Sequence, residues 1–199
     1  MDLTLIWFNH MSLLMNRKTY IILFCLMFLI QNLAFSQEAE LTDIIVTNTR
    51  DDLLVYLNVE GAFREKMQKA ILSGVPTTFS FFVSLFKARD LWFDKKIADI
   101  KVTHTVKYNI LKKEFIVKRS WENGEPLVTQ SFEEVKKLMT EINSLKIAPL
   151  NALEKGLNYQ IRAKAELSKL TLPFYLHHVF IFLSLWDFET DLYTIDFIY

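Results

Sequence analysis

The chain is poor in the residues that build most recognisable sites: one cysteine, four glycines and four prolines among 199 residues, with 23 basic side chains against 23 acidic ones. A lone thiol, Cys25, can close no intrachain disulfide and supply no thiolate metal cage, so stability has to come from packing. As a lipidation site Cys25 is poorly placed, because the bulky Phe24 precedes it where lipoprotein processing wants a small residue. With glycines only at 61, 74, 124 and 156, no run of consecutive glycine amides can cradle a phosphate. There is also no Gly-x-Ser-x-Gly elbow, no His-Glu-x-x-His and no dinucleotide fingerprint. The balanced charge leaves no basic field to attract phosphates, which excludes nucleic acid as the expected partner. No cofactor is expected.

What is present begins with a hydrophobic leader. Arg17 and Lys18 precede an apolar run from Thr19 to Ile30, and Ala34-Phe-Ser36 gives a small-x-small end before the charged Gln37-Glu-Ala-Glu40. Those are the three parts of a secretory signal, with cleavage expected after Ser36. The alternative is a retained anchor, although Thr19 to Phe35 is short for the roughly 20 residues that span a bilayer. Met11 and Met15 are alternative starts, because Leu3 to Phe8 is unusually apolar for the region ahead of a signal. The organisation expected is residues 1–36 as signal peptide or membrane anchor and residues 37–199 as one exported domain, facing the periplasm or the outer face of the inner membrane.

In the exported part the apolar period is mostly two. Leu41–Thr49 and Leu53–Val59 read as strands around Arg50-Asp51-Asp52. Ala62–Ser73 reads as a helix burying Phe63, Met67, Ala70 and Ile71, stopped by Gly74 and Pro76. Strands follow from Thr77, over Ile97–Ile110, with Ala98, Ile100, Val102, His104, Val106 and Tyr108 on one face, and from Glu114 to Trp121 before the Asn123-Gly124 turn. Ser131-Phe-Glu-Glu134 fits a capping box, opening a helix that buries Val135, Leu138, Met139, Ile142 and Leu145. Tyr159–Ser168 alternates cleanly, and Tyr193–Tyr199 reads as a closing strand. The fold class expected is α+β: a largely antiparallel β-sheet, with a sandwich-like form among its options, and two or three helices.

Three segments in order, Ala70-Ile-Leu-Ser-Gly-Val-Pro76, Leu91-Trp-Phe-Asp-Lys95 and Leu185-Trp-Asp-Phe-Glu-Thr-Asp191, resemble the uncharacterised bacterial family catalogued as domain of unknown function 4390. The resemblance runs from about Leu41 to the C-terminus. It implies a bacterial exported protein and brings no activity and no functional residue with it.

Candidate chemistry is sparse. His104 lies on the apolar side of its strand and is expected to be a hydrogen-bonded core or sheet-edge histidine rather than a base or ligand. His177 and His178 with Asp187 and Glu189 are weak candidates for an oxygen-rich metal site, since adjacent side chains diverge in regular structure. Phe79, Phe81, Phe82 and Phe86, with Phe174, Phe180, Phe182 and Trp186 in the apolar stretch 172–186, are candidates for contact with an apolar ligand or a membrane. The expectation is a non-catalytic binding domain of the cell envelope. Its partner would be another envelope or membrane protein, with a lipid as a further option. The alternatives are an apolar-ligand carrier and a metal-dependent hydrolase.

Overall fold

The computed structural model describes residues 39–89, 92–122, 124–167 and 188–199. The leader, Asn123 of the expected turn and the stretch 172–186 lie outside the described residues.

β1 (Glu40–Asn48) and β2 (Asp52–Glu60) pair antiparallel as the expected hairpin. Thr49 closes the turn, its hydroxyl accepting the Asp52 amide at 3.0 Å. Leu53, Val55, Leu57 and Val59 of β2 all point into the core, as their alternation requires. Helix α1 (Glu65–Leu72) starts later than Ala62 because Phe63 is used ahead of it, packing 5.2 Å from the ring of Phe79 and edge-on to Phe132. Met67, Ala70 and Ile71 are its buried face. It stops at Gly74, whose φ of +83° suits glycine and whose missing Cβ would stand 3.3 Å from the Ile110 side chain.

β3 (Thr77–Lys87) is the centre of a six-stranded antiparallel sheet. It pairs on one side with β4 (Lys95–Asn109), which continues to β5 (Glu114–Arg119) and β6 (Leu127–Thr129), and on the other with β8 (Asn158–Leu167) and β9 (Tyr193–Ile198). Phe79, Phe81, Val83 and Leu85 of β3 share the inner face with Val102, His104 and Val106 of β4 and with Tyr159, Ile161, Ala163 and Ala165 of β8. Over that face lie α1, α2 (Phe132–Thr140) and a three-stranded sheet of order β1-β2-β7, where β7 is Ile142–Pro149, so one apolar core serves both sheets. A short 3-10 turn, Leu150–Ala152, links β7 toward β8. The architecture is α+β and mainly antiparallel, with two α-helices among the described residues. None of these helices is long and apolar enough to cross a membrane.

Two readings of the sequence are corrected. The second helix does not run on to Leu145: it ends at Thr140, and Ile142 and Leu145 belong to β7. A bulge at Asn143 and Ser144 sets two residues of β7 against Tyr56 of β2, which returns Ile142 and Leu145 to the same side three residues apart. A spacing of three, read along the chain, imitates a helix. The capping box is also only half formed. Glu134 donates its amide to Ser131 Oγ at 3.3 Å, but its carboxylate accepts from the Thr129 hydroxyl, and that hydroxyl accepts the Ser131 amide at 3.1 Å. The three-residue strand β6, too short to show a period, places Thr129 there.

Candidate functional site

His104 is the one histidine among the described residues, and its side chain is fully buried on β4. Nδ1 lies 3.0 Å from the Met139 carbonyl, which can only accept, so the ring proton sits on Nδ1. Nε2 accepts the indole N–H of Trp121 at 2.9 Å. The ring also packs 4.7 Å from that of Phe81. Burial pushes its pKa down to about 4, against the upward pull of the hydrogen bond to the Met139 carbonyl. With both nitrogens engaged and the ring neutral, this is a hydrogen-bonded core histidine, as expected.

The other sequence candidates divide. His177, His178, Asp187, Phe174, Phe180, Phe182 and Trp186 lie outside the described residues. Glu189 is exposed, forms an isolated bridge with Glu166 and pairs its carboxylate with the Lys164 ammonium, whose pKa it holds above the ordinary lysine value. It borders an opening of about 250 Å³ together with Glu40 and Asp191. Among the described residues no three carboxylate, histidine or cysteine side chains are grouped as metal ligands. The four phenylalanines of β3 are split by the strand itself: Phe79 and Phe81 are fully buried in the core, while Phe82 and Phe86 are half-buried on the opposite face. There Lys101 lies 4.9 Å over Phe82, and the Arg162 guanidinium lies 4.2 Å over Phe86.

The least comfortable part of the described chain lies elsewhere, on the outer side of the three-stranded sheet. β1 bulges at Asp43 and Ile44 opposite Leu57, and β7 bulges at Asn143 and Ser144 opposite Tyr56, so both neighbours of β2 break register at the same level. Asp43 (φ +52°) and Ser144 (φ +60°) take the left-handed conformation that side chains disfavour. Between the bulges is a shallow depression of about 280 Å³ lined by Asp43, Ile45, Tyr56, Asn58, Glu141 and Asn143, with Leu57 and Ile142 at its floor. Among the described residues, Asn58 Oδ1 and the facing Thr42 Oγ1 are out of reach of solvent and have no hydrogen-bond partner. Each such atom costs about 1–3 kcal/mol relative to a satisfied one. Asp43 and Glu141 at the rim form no ion pair among the described residues, and the depression's lining includes no basic side chain.

None of these residues stood out in the sequence. The available signal was a double interruption of period two, in Leu41-Thr-Asp-Ile-Ile45 and again in Ile142-Asn-Ser-Leu145. An orphaned atom leaves no trace in sequence at all.

The family model described as Domain of unknown function (DUF4390) matches residues 36–196. No curated protein and no solved structure matches the chain.

Proposed function

The chain belongs to the DUF4390 family, and we propose that it is an exported, non-catalytic binding domain of the bacterial cell envelope that holds a cationic side chain of another envelope protein in the bulged depression of its three-stranded sheet. The observation that carries this reading is the orphaned Oδ1 of Asn58, which lines the depression, together with the orphaned Oγ1 of Thr42 opposite it on β1 and two carboxylates with no ion pair among the described residues. Buried polar atoms are normally satisfied, and strain or missing partners at a bulge are expected where a ligand completes the set. An arginine side chain matches the chemistry: its planar fork offers five donors to the Asp43 and Glu141 carboxylates, and to Asn58 Oδ1 once that side chain turns into the depression, and its flat face can stack on Tyr56. At about 280 Å³ the depression accommodates one such side chain rather than a metabolite. Export is supported by the charged, apolar and small-residue parts of the leader.

The test is an amide-resolved NMR titration with the blocked tripeptide acetyl-Gly-Arg-Gly-amide and with its citrulline counterpart, which keeps the shape and loses the charge. Shifts confined to Asp43, Tyr56, Asn58 and Asn143 with arginine, and absent with citrulline, are expected. Equal shifts with both peptides, or none with either, would remove the proposal. Alkaline phosphatase fused after Tyr199 is expected to be active; activity of only a cytosolic reporter at that position would remove the envelope setting.

A further inference from the structure

The loop between β3 and β4 exposes two adjacent aromatic side chains, Trp92 and Phe93, which are 74% and 87% accessible. Single exposed leucines need no explanation, but two adjacent large exposed aromatics do. The two rings pack edge-to-face with centroids 6.3 Å apart, so they form one apolar unit. The base of the loop is anchored on both sides. The Ala88 amide donates to the Asn158 carbonyl at 3.0 Å, and Lys87 reaches Glu154 at 2.8 Å. On the far side of the tip, Asp94 accepts from Arg162 at 2.6 Å, and Arg162 in turn lies over Phe86.

Ile198, 73% exposed, belongs to the same end of the six-stranded sheet, since it pairs with Asn158 next to the strand position opposite Lys87. The segment from Lys87 to Lys96 carries four basic residues, Lys87, Arg89, Lys95 and Lys96, against Asp90 and Asp94, in a chain whose net charge is zero. Arg89 and Lys95 form no ion pair among the described residues.

We propose that this end of the sheet docks on the surface of an anionic lipid bilayer, with Trp92 and Phe93 entering the headgroup region and Arg89 and Lys95 facing the lipid phosphates. Two adjacent exposed aromatics beside two cations that form no ion pair among the described residues match an anionic bilayer surface, which offers apolar depth and phosphate charge together. Tryptophan, apolar in body and polar at its N–H, is the side chain that favours that depth. The cations add attraction to anionic headgroups that weakens with salt. This surface is separate from the bulged depression, and neither proposal depends on the other.

The test uses the full chain with Cys25→Ser, so that one new thiol can be labelled. Phe93→Cys and Leu111→Cys each receive an environment-sensitive NBD dye. Leu111 is the control, because it is 95% exposed in the turn at the opposite end of β4. With vesicles of phosphatidylcholine and phosphatidylglycerol at three to one, NBD emission at position 93 is expected to rise several-fold and emission at 111 to stay flat. The rise at 93 should fall at least threefold with Arg89→Glu/Lys95→Glu and with phosphatidylcholine alone. No rise at 93, an equal rise at 111, or a rise indifferent to lipid charge overturns the proposal. A protein-binding tip would show itself as the first of these, since the vesicles contain no protein.

Discussion

The indole N–H of Trp121 donates to Nε2 of His104 at 2.9 Å, and this bond fixes the imidazole as a neutral acceptor on one side and a donor to Met139 on the other. Protonation would place a second hydrogen against the indole N–H and a charge inside the core. Burial holds the His104 pKa near 4, while the unfolded chain takes up a proton at about 6.5. Between those values the unfolded state binds more protons, so stability is intact above about pH 6.5 and is lost as pH falls toward 4. Urea unfolding at pH 7 and pH 4.5 should show a loss on the order of 2–3 kcal/mol that is absent in His104→Gln. Parallel losses in the two proteins would mean that other groups carry the effect.

Ser131 caps α2 with one long bond, and Thr129 supports it from β6. Ser131→Ala should cost about 1 kcal/mol, the usual loss for an N-cap hydroxyl. Thr129→Val should cost a comparable amount, because both the Ser131 amide and the Glu134 carboxylate lose their partner. Thermal melts that leave Thr129→Val unchanged would show that the relay contributes nothing.

Most strands were legible because alternation survives wherever pairing is regular. Tyr159, Ile161, Ala163, Ala165 and Leu167 are buried along β8 as their spacing demands, and the faces of β4 fall where Val102, His104 and Val106 place them. Legibility fails at the bulges. The extra residue at Ser144 turns Ile142 and Leu145 from opposite faces to the same one, and the pattern then continues the helical spacing of Val135 and Met139 without a visible break. The candidate depression shares that origin: it is made by the two register breaks around Tyr56 and Leu57, and neither sets a residue type that marks a site. His104 was legible as a core histidine, but its partner Trp121 was not, since the hydrogen bond joins positions 17 apart.

Lys113 takes a φ of +55° in the turn after β4, where the Asn109 side chain accepts the amides of Leu111 and Lys112. A side chain pays for that conformation and glycine does not. Lys113→Gly should stabilise the protein by about 1 kcal/mol, with the gain read from denaturant midpoints at constant slope. A loss would mean that the lysine stem contributes contacts beyond its backbone strain.

Thr42 gives the most direct test of whether the bulged depression is kept for binding. Its hydroxyl is buried with no partner among the described residues, so replacing it by the methyl of valine removes an unsatisfied polar atom and leaves the shape nearly unchanged. Thr42→Val should therefore stabilise the free protein by about 1 kcal/mol or more. If the hydroxyl is held in reserve for a bound cation, the same variant should weaken the arginine tripeptide several-fold and leave the vesicle response at position 93 untouched. The two effects have opposite signs, and a purely structural defect produces only the first. If valine destabilises the fold, Thr42 Oγ1 has a partner in solution and is not held in reserve for a cation.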